Sequence, residues 1–158
     1  MIFNEQPKSQ PIRKLQVQEA FKRVKANKGA SGVDGVTIEA VTKNTRKYLY
    51  PMWNRMASGS YYPKAVRQVL IPKGDGKMRP LGIPTIVDRV AQQVIATELE
   101  QIVEEHFHPS SFGYQPNKSA HDAIEQCRIN SMKYSWVIDL DIKGFFDNID
   151  HDLLLKAV

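Results

Sequence analysis

Val66-Arg-Gln-Val-Leu-Ile-Pro-Lys-Gly-Asp-Gly-Lys-Met-Arg-Pro-Leu-Gly-Ile83 reads as two strands joined by a glycine turn. Val66–Ile71 is rich in β-formers and Gly74-Asp75-Gly76 supplies the turn. Met78–Ile83 is a second strand weakened by Pro80, which has no N–H to donate to a ladder. Arg67, Lys73, Lys77 and Arg79 make this hairpin basic, and Asp75 at its tip is the one acid in it.

Helical patterns flank the hairpin. Before it, Val17, Ala20, Phe21 and Val24 recur at helical spacing until Asn27-Lys28-Gly29 ends the pattern. Residues 29–36 then form a glycine-rich loop. It lacks the Lys-Ser pair of a nucleotide-binding P-loop, so a nucleoside-triphosphatase loop is discounted. Thr37 caps a further helix with Ile38, Val41, Thr45, Tyr48 and Leu49 on one face, and Pro51 kinks or restarts it before a core stripe of Met52, Trp53 and Met56. After the hairpin, Thr85 and Asp88 open a long helix that buries Val87, Val90, Ala91, Val94, Ile95, Leu99, Ile102 and Val103 and ends before Pro109. A polar loop at Ser110–Lys118 leads to a helix from Ser119 with Ala123, Ile124 and Cys127 turned inward, which makes Cys127 a core thiol. The first 14 residues, with Pro7 and Pro11, form a loose arm.

At 158 residues the chain is one domain or part of one, and 42% apolar with 25% charged residues is a globular composition. No apolar run is long enough to span a membrane or serve as a secretion signal. The single cysteine forbids an intrachain disulfide or a cysteine-cluster zinc site, so a cytoplasmic setting is expected. The net charge of +5 is unevenly spread: +7 over residues 1–60, +4 over 61–90 and −6 over 91–158. A basic front can neutralise phosphates, whereas an acidic back repels a polyanion unless divalent cations lie between them. On composition alone, charges that merely solvate helices explain the split equally well.

Trp136–Ile142 alternates as a strand, with Trp136, Ile138, Leu140 and Ile142 on one face and Val137, Asp139 and Asp141 on the other. Two carboxylates in mid-strand suit a cleft holding divalent metal; the alternative is an edge strand ending in solvent. Lys143-Gly144 turns the chain into Phe145-Phe146, and Asp150 caps a helix beginning at His151.

Four blocks stand in order along the sequence: Lys25-Ala-Asn-Lys-Gly-Ala-Ser-Gly-Val-Asp-Gly-Val36, then Ile71-Pro-Lys-Gly-Asp-Gly-Lys-Met-Arg-Pro-Leu-Gly-Ile-Pro84, then Ser111-Phe-Gly-Tyr-Gln-Pro-Asn-Lys-Ser-Ala-His-Asp122, and finally Asp141-Ile-Lys-Gly-Phe-Phe-Asp-Asn-Ile-Asp-His151. With these four, the chain from about Leu15 onward resembles the N-terminal fingers and start of the palm of group II intron-encoded reverse transcriptases, the maturases. Retron, diversity-generating and CRISPR-associated reverse transcriptases share much of this region, and the Gly-Val-Asp-Gly loop leans toward the intron lineage.

The resemblance implies an α+β fold, the fingers and first palm segment of a right-hand polymerase with helices packed around the basic hairpin and a short sheet at the palm strand. It divides the chain into a flexible arm (1–14), a fingers region (15–133) with an N-terminal extension loop (29–36) and a hairpin (66–83), and a first palm strand with its helix (134–158). It implies that Asp141 is a catalytic ligand of Mg²⁺, with the main-chain carbonyl of Ile142 beside it, in a two-metal nucleotidyl transfer onto a primer 3′-hydroxyl. It further implies that Lys73 and Arg79 hold the incoming triphosphate and that Phe146 excludes the 2′-hydroxyl of ribonucleotides, Phe145 being the core phenylalanine. Gly82, Ile83, Pro84 and Arg89 then lie against the template. The implied partners are an intron RNA template, a DNA primer and a deoxynucleoside triphosphate. Gln115 and Lys118 depart from the arginine-bearing version of their block, which puts an RNA contact there in doubt.

The second carboxylate motif of the family, Tyr-Ala-Asp-Asp, does not occur in these 158 residues. The chain alone is therefore expected to be inactive, and its palm strand is expected to expose an edge that could pair with a second copy. The sequence accommodates three functions: part of an RNA-directed DNA polymerase, an RNA-binding module, or a structural remnant without ligand affinity.

Overall fold

A computed structural model describes residues 11–74 and 76–157. The expected arm lies mostly outside the described residues. Two compact units divide the chain, one up to Glu105 and one from His106 onward.

The first unit contains α1 (Lys14–Ala26), α2 (Ile38–Lys43), α3 (Thr45–Ala57), β1 (Arg67–Pro72), β2 (Met78–Ile83) and α4 (Ile86–Val103). Its core is a helical layer. Val17, Ala20, Phe21 and Val24 of α1 meet Ile86, Val90, Ala91 and Val94 of α4, and Ile38, Val41, Leu49, Met52 and Met56 close the cluster from α2 and α3. Spacings of three and four residues put each set on one helix face. Full burial of a large aliphatic side chain such as Ile86 or Val90 stabilises the fold by about 1.5–3 kcal/mol.

The caps are local and as expected. The Thr37 hydroxyl accepts from Ala40 N–H, and that of Thr85 accepts from Asp88 N–H. Pro51, by contrast, does not break its helix, since α3 runs through it. The break falls at Asn44 (φ −136°, ψ 51°), whose N–H donates to Ala40 and Val41 while its carbonyl takes the N–H groups of Lys47 and Tyr48. Trp53 fastens the start of the described chain, donating Nε1–H to the Ile12 carbonyl at 2.7 Å. The apolar stripe of α4 is buried only in its first half: Ile95, Ile102 and Val103 are exposed, contrary to expectation, because beyond Val94 α1 meets α4 through polar pairs, Gln16 with Glu98 and Arg23 with Glu100.

The two strands form an antiparallel ribbon, Arg67 opposite Ile83 and Ile71 opposite Arg79. A short 3₁₀ turn, Glu104–His106, follows α4.

The second unit contains α5 (Ala120–Ser131), a 3₁₀ turn (Phe146–Asn148) and α6 (His151–Ala157). The helix starts are as expected: Ser119 and Asp122 form a reciprocal capping box, and Asp150 Oδ1 accepts from the N–H groups of Asp152 and Leu153. Two expectations fail here. Trp136–Ile142 is not a strand; its residues are unpaired and exposed, Trp136, Ile138 and Leu140 each by more than 80%. Alternation alone does not make a strand without a ladder partner, and the hairpin is the only sheet among the described residues. Nor is Cys127 a core thiol. It is exposed, as is Ile124, because α5 buries no residue against another layer. The class is thus mixed helix with one small antiparallel sheet, and the further short sheet expected around the palm strand is absent from the described residues.

Candidate nucleic-acid interface

The hairpin carries its charge on one side. In an antiparallel ribbon, directly opposed residues share a face and successive residues alternate. Register therefore places Arg67, Val69 and Ile71 with Ile83, Leu81 and Arg79, and Gln68, Leu70 and Pro72 with Gly82, Pro80 and Met78. The bond from Lys73 N–H to the Lys77 carbonyl, 2.7 Å, continues that register by one step and adds both lysines to the first face. Gly76, at φ 75°, closes the tip through its N–H to the Lys73 carbonyl. All four basic residues thus belong to one face of an exposed ribbon, and the other face has no charge. Lys73 and Arg79, the expected triphosphate-holding pair, are both on the basic face.

The outgoing root of the ribbon packs against the glycine loop. Gly32 is buried against Pro84 and Thr85, so closely that an added Cβ would lie 2.6 Å from the backbone of Thr85. Half-buried Arg89 donates from Nη2 to the Ala30 carbonyl, and its Nη1 would lie 2.7 Å from a Cβ on Gly29, which has φ 114°. Asp34 shapes the loop from within, accepting Val36 N–H at 3.1 Å, and its other oxygen pairs with the Lys64 ammonium at 3.3 Å. Loop 29–36, Pro84, Thr85 and Arg89 are therefore neighbours in space, although about fifty residues separate the loop from the others in sequence; Gly82 and Ile83 precede them on β2, where Gly82 faces Val66. Arg89 is half-buried and tied to the loop, so its guanidinium orders that loop.

One group at this root lies outside the expected site residues. Asp88 is 3% exposed and accepts the Tyr61 hydroxyl, the Lys64 backbone N–H at 3.4 Å and the Thr85 hydroxyl at 2.6 Å. Burial, reinforced by the Asp88 hydrogen bond and charge, pushes the Tyr61 hydroxyl well above the usual tyrosine range. The sequence shows Asp88 only as a helix-start residue, and its partners 24 and 27 positions upstream leave no local signal.

In the second unit, Asp139, Asp141 and the Ile142 side chain are exposed on the extended segment. Gly144, at φ 62°, turns the chain beyond them, and its carbonyl accepts both the backbone and side-chain N–H of Asn148. Phe146 is 83% exposed, its ring edge-on to that of Phe145 at 5.3 Å. Phe145 is half exposed, so neither phenylalanine is a core residue. Lys118 does not reach outward: its ammonium donates to the Pro109 and Ser111 carbonyls and lies over the Phe112 ring. Gln115 beside it is buried.

The described residues contain no group of three or more side chains able to hold a metal ion. Magnesium keeps much of its water and needs few protein oxygens, so the exposed Asp141 carboxylate and Ile142 carbonyl fit part of a coordination shell, not a closed centre. None of the described helices is long and apolar enough to cross a membrane.

A family model described as reverse transcriptase (RNA-dependent DNA polymerase) matches residues 71–158, from inside the first strand of the hairpin onward. The chain belongs to the reverse transcriptase family. Its relatives agree with the group II intron type. The group II intron-encoded protein LtrA of Lactococcus lactis subsp. cremoris is 36% identical over 140 residues, covering 88% of this chain and 23% of that protein. Protein YkfC of Escherichia coli K12 is 37% identical over 147 residues, covering 89% of this chain and 39% of that protein. A putative COX1/OXI3 intron 1 protein of Saccharomyces cerevisiae is 33% identical over 139 residues, covering 88% and 16%. This reverse transcriptase chain thus spans well under half the length of these relatives.

Proposed function

We propose that this chain supplies the fingers and the start of the palm of an RNA-directed DNA polymerase of the group II intron type. One observation carries the reading: four cations share one face of a ribbon whose root abuts a glycine loop. Such a face suits a polyphosphate. The Arg79 guanidinium offers a planar fork to phosphate oxygens, and the Lys73 ammonium offers a compact charge. The packed root, with Gly82, Ile83, Pro84 and the Arg89-ordered loop 29–36, is the surface we assign to the RNA template.

Asp141 and the Ile142 carbonyl would hold Mg²⁺ together with carboxylates from elsewhere in the assembled polymerase. That metal would supply Lewis-acid activation of the primer 3′-hydroxyl and charge neutralisation at the leaving pyrophosphate. Phe146, exposed two residues beyond Gly144, is the side chain we assign to the sugar of the incoming deoxynucleotide. The fingers-to-palm boundary at 133/134 belongs to the same reading.

Binding without catalysis is the second reading, favoured by the basic face of the hairpin, whose four cations suit a polyanion without any metal ligand. A binding titration on the chain with Lys73→Ala and Arg79→Ala separates a working basic face from surface solvation. Single-stranded RNA and deoxynucleoside triphosphate should both bind more weakly to the double variant; unchanged affinity for both would remove the assignment.

A further inference from the structure

We infer that Asp88 is a positioning residue that sets the direction of the β1–β2 hairpin relative to the glycine loop. The inference deepens the reading above, because the hairpin and loop are its two proposed nucleic-acid surfaces.

The hairpin has little packing of its own. Its strands make their dense contacts only with one another, and apart from Val69 and Ile83 every described residue of the ribbon is exposed. Its angle must therefore be set at its roots. Both roots converge on one carboxylate: Lys64, three residues before β1, offers its backbone N–H, and Thr85, two residues after β2, offers its hydroxyl. Tyr61 adds a third donor from the incoming segment.

Helix capping does not explain this arrangement. The cap requires only that the Thr85 hydroxyl accept Asp88 N–H, and it does so at 3.1 Å without the carboxylate. Burying a carboxylate is costly unless several donors satisfy it, so a buried Asp88 holds its three donors in one geometry. The tie then extends to the loop. The Lys64 side chain pairs with Asp34, Gly32 lies on Thr85, and Arg89, next in sequence, grips Ala30. One buried group thus joins the incoming root, the outgoing root and the loop.

The test measures direction separately from stability. Spin labels are placed on exposed positions Met78→Cys, near the hairpin tip, and Gln92→Cys, on α4, in a Cys127→Ser background of the full chain. Pulsed electron resonance then gives the distance distribution between them. Asp88→Asn keeps size but turns an acceptor into an amide donor facing a hydroxyl, and Tyr61→Phe removes one donor while keeping the carboxylate. The wild-type chain should give one narrow distribution. Asp88→Asn should about double its width, Tyr61→Phe should fall between, and RNA affinity should fall in the same order.

Wild-type width in both variants, even with lowered melting temperatures, would overturn the inference and leave Asp88 a structural residue. Should Asp88→Asn fail to fold, Tyr61→Phe decides by the same criterion. Broadening in a chain whose wild-type form binds no RNA would support the role of Asp88 while removing the nucleic-acid reading, so the two can fail separately.

Discussion

A Cβ on Gly32 would lie 2.6 Å from both the backbone N and the Cα of Thr85. The obstruction is main chain at the start of α4, so it cannot swing aside as a flexible side chain would. The contact joins the glycine loop to the root of the hairpin, and it explains why glycine is needed at a position whose φ is not left-handed.

Gly32→Ala should therefore cost about 1–3 kcal/mol, as overpacking does, and should shift the amide resonances of Pro84-flanking residues and Arg89. Gly35 has φ 65° but open space around an added Cβ, so Gly35→Ala should cost only the left-handed backbone penalty of about 1–2 kcal/mol and leave the Thr85 resonances in place. Chemical denaturation of both variants checks the order.

Removing cations from the basic face should change salt dependence as well as affinity. Each phosphate contact to a single strand contributes about −0.7 to the slope of log affinity against log salt. Lys73→Ala with Arg79→Ala should therefore make the slope for RNA shallower by about 1.4, and Gln68→Ala, on the uncharged face, should leave it unchanged.

The helical core should respond as a packed interior. Ile86, the first residue of α4, is fully buried in the helical core, and Ile86→Ala should destabilise the fold by about 2–5 kcal/mol. An exposed control on the same helix, Ile102→Ala, should stay within about 0.5 kcal/mol. Denaturant midpoints at equal slope provide the comparison.

Acid should loosen the start of α5. The Ser119 hydroxyl and backbone N–H both donate to Asp122 and hold its carboxyl below the ordinary 3.8. A folded-state pKa below the unfolded one contributes stability above about the ordinary value, and that stability is lost as pH falls through the lower, folded value. Carboxyl resonance titration should show Asp122 titrating late on acidification, and Ser119→Ala should return it toward 3.8.

What was legible in the sequence was local. Thr37, Thr85, Ser119 and Asp150 announce helix starts because a cap is made within three residues, and Gly76 announces the hairpin because the turn takes it to φ 75°. Legibility ended where a partner lies far away. The alternation of Trp136–Ile142 has the period of a strand, yet a strand is defined by a neighbour that the described residues do not provide. Cys127 and Ile124 have helical spacing, but spacing cannot say whether another layer covers them. Asp88 is the converse case: it shows as a helix-start residue, and its tie to Tyr61 and Lys64 exists only in three dimensions. In the candidate site, the basic hairpin was legible by composition, while its one-sided charge required the register.

Asp141, as proposed, contributes a catalytic metal ligand to the assembled polymerase. The most direct measurement of that role is primer extension on an RNA template with Mg²⁺, by a chimera joining this sequence to the downstream part of the Lactococcus lactis relative. The chimera should extend the primer, and Asp141→Asn should reduce the rate by at least about a hundredfold with RNA affinity unchanged. Extension by the Asp141→Asn chimera at the rate of its parent would show that Asp141 is no catalytic metal ligand.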